Sequence, residues 1–473
     1  IAPGVSPRLL ADQFGQVAEN VDFESGRFVA ITEDSATYTL QTGNRRSIYF
    51  YRDTSWLEWI EDGVSVVPGP IPGDTLDRLY FTGDDYPRMG TAATLVSGSN
   101  GYPVNSYRLG VPAPLNAPTV VVNGTADDTL TPNDVSYVYT LVTAFGEEGP
   151  PSSPSAVIQL DDTQSTTLSL PTSDQPSGNY NFTTGALKRI YRSNTGSTNT
   201  QFQFAGEVGY TATSFTDTQD AATLGEVLPS ATWIGPPDDD SALYPDGPLN
   251  GLIALAQGTM AGFTGKRFCL SEPFLPHAWP IQYRITTEED IVAIASTANG
   301  VAALTDGQPY FITGTEPSAM TAVRIDLAQA CVNVNSVVDM GSYVLYAGPD
   351  GLCGLESASG SVVTAGLISV KQWNDDFNPT TIRAFKHEGT YVAFHATGGW
   401  VYDPRGDENA LTTLSISSDV RGGYTNPKDG ELYLIVNNEI VKYRGSATSK
   451  TAKFKSKKFV TPAPVSMGWV SVH

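Results

Sequence analysis

Histidine and cysteine are scarce in this chain of 473 residues, with four of the first and three of the second. The cysteines, Cys269, Cys331 and Cys353, are odd in number and match no zinc spacing, and three in so long a chain argue against a disulfide scaffold. They read as small buried apolar residues, in keeping with synthesis in a reducing compartment. His277, His387, His395 and His473 are scattered and form no HExxH pair, so they read as surface or turn histidines. No GxSxG elbow, phosphate-binding glycine loop or dinucleotide fingerprint occurs. Neither a catalytic residue, a metal site nor a cofactor is therefore expected. Positive charge is short as well: 28 Lys and Arg stand against 50 Asp and Glu, a formal net charge of -22. Such a chain repels polyanions, which argues against a surface that grips nucleic acid. Long apolar runs are missing. "LIALA" falls far short of the ~20 residues that cross a bilayer, so no membrane-spanning segment is expected. "IAPGVSPRLL" has no apolar signal core. Ile1 in place of Met suggests a start further upstream, and "APVSMGWVSVH" reads as an interrupted strand.

Turn formers and strand formers are plentiful. The chain has 45 Gly and 32 Pro, and 40% of its residues are hydrophobic, enough for large cores. Short runs rich in Thr, Val, Tyr and Ser lie between the glycines, the composition of an all-β protein. From residue 251 onward one pattern recurs: a strand, a Gly turn, a second strand, a polar turn and a third strand. The units are "GTMAGFTGKRFCLSEP", "GVAALTDGQPYFITG", "GSYVLYAGPDGLCGLES", "GTYVAFHATGGWVYDP" and "GELYLIVNNEIVKYRG". They begin at Gly258, Gly300, Gly341, Gly389 and Gly430, so the separations are 42, 41, 48 and 41 residues. This period predicts a β-propeller-like repeat of short-stranded blades, each covering its faces against its neighbours. "RSIYFYRDTSWLEWI" and "DRLYFTGDDYPRMG" look like one or two further blades, and strands from both termini are expected to close such a repeat.

Residues 116–235 change character. "PAPLNAPTV" leads in, "SATWIGPPDDD" leads out, and Ser and Thr rise between them. "VSYVYTLVTAFGEEGPPSSPS", "GALKRIYRSN" and "FQFAGEVGYTATSFTDT" resemble strands of fibronectin type III domains, with the strand order left open. The expected organisation is an N-terminal β region at 1–115 contributing propeller or platform strands. An inserted fibronectin type III-like sandwich follows at 116–235, then propeller blades at 236–448 and an exit strand at 449–473.

Several short stretches are candidates for chemistry or contact. "GDDYP" (83–87), "PPDDDS" (236–241) and "TEEDI" (287–291) could pair carboxylates for glycoside hydrolysis, but read first as solvated loops. "YDPRGDENA" carries an Arg-Gly-Asp triplet that is a turn sequence first. "KTAKFKSKKF" (450–459) is basic. On a strand Lys453, Lys455 and Lys457 share a face, and with Lys458 they would meet an acidic partner or DNA phosphate. The equal alternative is an edge strand guarded by lysines. "SEPFLPHAWP" (271–280) gathers His277, Trp279 and Pro280 near Cys269. It falls where one unit's last strand ends and the chain crosses to the next. It reads as a structural joint, with Trp279 as an apolar plug, His277 as a polar tip and Pro280 among the stiffening prolines.

"SEPFLPHAWP", "YRITTEEDIVAIAS", "PYFITGTEPSAMTAVRIDLAQACV" and "SVVDMGSYVLYAGPDGL" together resemble a run found in tail nozzle (tail tubular B-type) proteins of short-tailed bacteriophages. "GVSPRLLADQFGQVAENVDFESGRFVAI" resembles that family's N-terminal stretch. The resemblance covers 251–357 well, and 1–50 and 380–470 more loosely. It implies a non-enzymatic virion structural protein, made in the host cytoplasm and carried in the phage tail. The implied assembly is a homo-oligomer, a hexameric ring around the channel through which genomic DNA passes. Its implied partners are other tail proteins on the adaptor and portal side, and tail fibres. An acidic wall suits the passage of a polyanion. The alternatives are a tail-associated propeller glycosidase or depolymerase, suggested by the acidic loops with Trp56, Trp59 and Tyr80, and a carbohydrate-binding adhesion protein, suggested by the insert.

Overall fold

In the computed structural model the protein is all-β, built from many small antiparallel sheets, consistent with a β-propeller-like fold. The structure describes residues 1–3, 5–12, 14–23, 27–195, 199–405, 410–416 and 418–460. Contacts divide the chain into two compact units: Ile1–Gly63, Ala295–Ile312 and Val323–His473, and Val64–Ile294 with Thr313–Ala322.

In the first unit each recurring glycine opens the second strand of a meander. Gly341 (φ 108°) and Gly389 (φ 78°) take the left-handed conformation that glycine adopts without a Cβ clash. Gly341 lies just before Val344–Ala347, in the sheet Val338–Asp339, Val344–Ala347, Leu352–Glu356, Ser359–Val362. Gly389 lies before Thr390–His395, in the sheet Arg383–His387, Thr390–His395, Gly398–Asp403, Ala410–Leu414. Gly430 precedes Leu432–Val436, which pairs with Val420–Thr425 and Glu439–Lys442. After Gly300, a hairpin pairs Val301 with Ile312 and Ala303 with Tyr310.

These sheets bury both faces, because alternate side chains of one strand point to opposite sides. Along Thr390–His395, Tyr391 and Ala393 join a cluster with Leu345, Leu352 and Trp373. Val392 and Phe394 join a different cluster with Val420, Leu432 and Leu434. Strands covered on both faces read as near-continuous apolar runs, such as "YVAF" and "LYLIV".

Both chain ends are woven into this unit. Ser35–Thr39 pairs antiparallel with Glu439–Lys442 and supplies the fourth strand of that sheet. Val17–Glu19 adds in parallel beside Ala410–Leu414, and Lys453–Lys455 pairs antiparallel with Val17–Glu19. The hairpin Ser47–Tyr51/Ser55–Trp59 lies against Val420–Thr425 so closely that a Cβ on Gly422 would sit 1.9 Å from the Arg46 carbonyl oxygen.

The second unit contains the four-stranded sheet Ser65–Pro68, Leu79–Thr82, Arg88–Gly90, Tyr107–Arg108. It also holds the sheet Asn250–Ala254, Met260–Thr264, Arg267–Leu270, Ile285–Thr286, with Gly258 before its second strand. The stretch 116–235 folds here too, as two three-stranded sheets. One comprises Thr119–Asn123, Ser165–Ser169 and Ser214–Asp217, the other Tyr137–Val142, Leu187–Thr195 and Thr200–Gly209. A pair of short strands, Asn133–Val135 and Ile158–Leu160, accompanies them. Tyr137, Tyr139, Leu141, Leu168 and Ile190 fill their shared core. No helix among the described residues is long and apolar enough to cross a membrane.

Asn20 fastens the N-terminal strap of the first unit. Its amide donates to Ser415 Oγ (2.7 Å) and to the Thr451 carbonyl (3.0 Å), and its oxygen accepts from the Ser415 amide (2.9 Å). Its φ of 55° is left-handed, a region asparagine tolerates better than alanine. Asn20→Ala should therefore lower unfolding free energy by about 2–4 kcal/mol in denaturant melts. A loss within the ~0.5 kcal/mol typical of surface substitutions would show that the strap is not fastened there.

Candidate interaction surface

The basic segment ends up on the edge of the sheet that runs through residues 383–414. Val17 pairs with Lys455, Ala18 with Phe454 and Glu19 with Lys453. Lys453 Nζ meets Glu19 at 2.8 Å, and Lys457 Nζ meets Asp12. Lys455 and Lys458 are exposed, and among the described residues neither has an ion-pair partner. The strand ends at Lys455, so Lys457 and Lys458 follow it rather than extend its face. Phe454 points opposite to the strand lysines and packs edge-on against Phe23 (5.8 Å) and Phe28 (5.9 Å). All three rings are about half exposed, and Phe459 and Val460 beyond them are more so. The result is an apolar patch bordered by lysines, a device that the alternating sequence disclosed only on its basic side.

The stretch 271–280 lies in the second unit. It was expected to cross between sheets, but it links the third and fourth strands of one sheet, because Arg267 and Phe268 pair onward with Thr286 and Ile285. A two-residue strand leaves no periodic signal to mark that return. Trp279 is fully buried among Val67, Tyr80, Met89 and Leu109 of one sheet and Leu252, Met260 and Cys269 of the next. Its indole N–H donates to the Pro276 carbonyl at 2.9 Å, and its amide to the Ile234 carbonyl at 2.7 Å. Pro280 begins the short turn Ile281–Tyr283.

His277 is 3% exposed, with its ring edge-on to Trp233 at 6.0 Å. Neither ring nitrogen makes a well-formed hydrogen bond. Burial lowers its pKa to about 4. The Glu148 backbone beside it opposes that shift, and the Arg78 guanidinium reinforces it. His277 is thus a neutral interior group beside Trp279 and not one of the surface or turn histidines expected from the sequence. His387 and His395 are buried too, at the ends of the strands Arg383–His387 and Thr390–His395, and burial lowers both. Their turn position was legible, but their cover comes from residues distant in sequence. His473 lies outside the described residues.

Two of the acidic loops, 83–87 and 236–241, each meet an arginine that the sequence alone did not connect to them. The Tyr86 ring of "GDDYP" sits between Arg88 (4.1 Å) and Arg108 (3.8 Å). Arg88 also pairs with Asp84 at 3.4 Å, and Arg108 pairs with Asp239 of "PPDDDS". Trp59 and Tyr80 are fully buried, and Trp56 stacks on Phe50, so these rings form no open sugar platform. Among the described residues no group of three or more His, Cys, Asp or Glu could hold a metal ion. The three cysteines are free and buried, and burial pushes Cys269 up to about 11 and Cys331 and Cys353 up to about 12. Of the Arg-Gly-Asp triplet only Arg405 is among the described residues.

No protein-family model matches the sequence, and no curated protein matches it. Among solved structures, the chain is similar to BBS1N in complex with ARL6DN at 10% identity, covering 89% of this chain and all of that one, with a TM-score of 0.33. The Neurospora crassa Pan2 WD40 domain is 7% identical over 60% of this chain and 84% of its own, with a TM-score of 0.29. The N-terminal domain of Nup159 is 11% identical over 44% and 57%, with a TM-score of 0.28. Likeness at this level carries no functional argument.

Two outcomes are expected at the joint. Trp279→Ala should cost about 3–5 kcal/mol of stability in denaturant melts, and a variant as stable as the parent contradicts its role as a plug. His277 has a folded pKa of about 4, below the ~6.5 of an unfolded histidine. The unfolded chain thus binds the extra proton first as pH falls from ~6.5 to ~4, and stability falls with it, by at most about 3 kcal/mol. In His277→Gln that part of the decline should vanish. Superimposable pH profiles for the two proteins would rule out this source of acid sensitivity.

Proposed function

We propose that this protein is a non-enzymatic structural subunit of a phage tail, a component of the tube or nozzle ring around the DNA exit channel. The run from "SEPFLPHAWP" to "SVVDMGSYVLYAGPDGL" supports the family, through its resemblance to tail nozzle proteins. The observation that carries the assembly is the terminal edge. Lys455 and Lys458 lie exposed beside the half-exposed rings of Phe23, Phe28 and Phe454, in a chain whose formal net charge is -22. A basic, apolar edge on an acidic molecule is complemented by a second copy of the same molecule. A head-to-tail contact of that kind closes into a ring when its rotation closes, and six copies are the expected number. The stretch 116–235 serves in this reading as a fibronectin type III-like spacer, and the acidic balance leaves DNA free to slide through. Other tail proteins on the adaptor and portal side, and tail fibres, would be its neighbours in the virion.

Mass photometry and negative-stain microscopy of the purified full chain test this reading. A closed sixfold ring with a central pore is expected. The double variant Lys455→Glu/Lys458→Glu should weaken assembly about tenfold or more while leaving the melting temperature unchanged. A chain that stays monomeric at tens of micromolar, or a ring indifferent to this charge reversal, counts against it.

A further inference from the structure

A cleft of about 430 Å³ opens in the first unit, within the ~300–1,000 Å³ range of small-molecule sites. One wall is the N-terminal strap, with Asp22 and Phe23. Another is the turn bearing His387, Glu388 and Thr390, and Asp403, Arg405 and Thr412 complete the lining with Arg444.

The polar groups are held in fixed planes. Arg405 donates from Nε and NH2 to the two oxygens of Asp403, each at 2.9 Å. Arg444 donates from NH1 to Asp22 at 2.8 Å, and its own amide donates to Asp34 at 2.9 Å. His387 sits edge-on to Tyr443 at 5.1 Å, with Nε2 3.7 Å from the Glu388 carboxylate. Phe23, 41% exposed, supplies an aromatic face anchored against Phe28 and Phe454. Rigid carboxylates and guanidiniums offer acceptors and donors side by side, with threonine hydroxyls that serve as either. That mixture suits a ligand covered in hydroxyl groups, each of which both donates and accepts. Charge narrows the class further. Three carboxylates (Asp22, Glu388, Asp403) face two guanidiniums (Arg405, Arg444), while burial keeps His387 neutral. Among the described lining residues the acids thus outnumber the bases, a balance that disfavours phosphates and acidic sugars.

We infer that this cleft binds a neutral saccharide, with hydroxyls bridging the Asp403–Arg405 and Asp22–Arg444 pairs and the ring set against Phe23. The inference does not depend on the tail reading: Phe23 is shared with the terminal edge, but the Asp403–Arg405 and Asp22–Arg444 pairs are not, and Arg405→Ala tests the cleft apart from that edge.

Saturation-transfer NMR and calorimetry on the full chain test it. The probes are glucose, galactose, mannose, N-acetylglucosamine, maltose and lactose, with sialic acid and inorganic phosphate as charged arms. At least one neutral sugar should bind, and the charged arms should not. Arg405→Ala and Phe23→Ala, both at partly exposed positions, should each weaken that binding about tenfold or more with an unchanged melt. Should Arg405→Ala disturb folding, Phe23→Ala alone decides. The inference is overturned if no neutral sugar binds at about 10 mM, if only the charged probes bind, or if the well-folded variant binds as tightly as the parent.

Discussion

The pairing of Ser35–Thr39 with Glu439–Lys442 is the contact on which the first unit depends. A three-stranded meander leaves a row of backbone donors and acceptors on its open edge. The sheet of residues 420–442 covers that edge with a strand from the other end of the chain. The same logic places Val17–Glu19 beside Ala410–Leu414. Side chains reinforce the backbone: Thr32 Oγ1 donates to the Arg444 carbonyl at 2.8 Å and Thr37 Oγ1 to the Ile440 carbonyl at 2.9 Å. These contacts join residues about four hundred positions apart, so the unit cannot finish folding until both ends are present.

The second unit solves a different problem, that of burying carboxylates. The pair of three-stranded sheets in 116–235 holds carboxylates in its interior and satisfies each with several donors. Glu148 accepts from Thr140 (2.7 Å), Tyr191 (2.7 Å) and Arg189 (2.8 Å). Asp217 accepts from Tyr137 (2.8 Å) and Arg192 (2.8 Å). Asp174 accepts from the Tyr139 hydroxyl and the Asn116 amide. Buried ion pairs of this kind add little net stability, but removing one partner strands the other, which makes the arrangement specific. Tyrosines so frequent in "VSYVYTL" are thus both core rings and donors, and the apolar–polar alternation of that stretch gave only the first role away.

Local features were legible in the sequence because their causes are local. Gly341, Gly389 and Gly430 mark hairpins that the backbone needs, and the apolar runs behind them are the strands that follow. Between the Pro-rich stretches around 116 and 235 the alternating runs form two three-stranded sheets. What was hidden depends on partners brought in from afar. No property of "SATYT" announces that it completes a sheet built from residues 420–442. Ile285–Thr286 is too short to carry a period, so the sequence does not show that the sheet continues beyond 271–280. The arginines that clasp Tyr86 and the acidic loops come from strands whose own pattern speaks only of β-structure. Of the surface at the terminal edge, the lysines could be read from their spacing, whereas Phe23 and Phe28 reach Phe454 only through the fold.

The strap that closes the first unit also builds its cleft. Asp22 ends the strand Val21–Asp22 and Phe23 follows it, while Arg444 lies just beyond Tyr443 after the strand that Ser35–Thr39 covers. The ion pair Asp22–Arg444 therefore spans the same seam as the backbone pairing, and it exists only once that seam is shut. Phe23 has a double position, lining the cleft on one side and packing with Phe454 of the terminal edge on the other. A load on the terminal strand, such as a docked neighbour, would bear on Phe454, then on Phe23, and so on the wall of the cleft. The contiguity is physical, through two rings 5.8 Å apart. It makes closure of the chain ends, the exposed edge and the cleft three consequences of one short N-terminal segment.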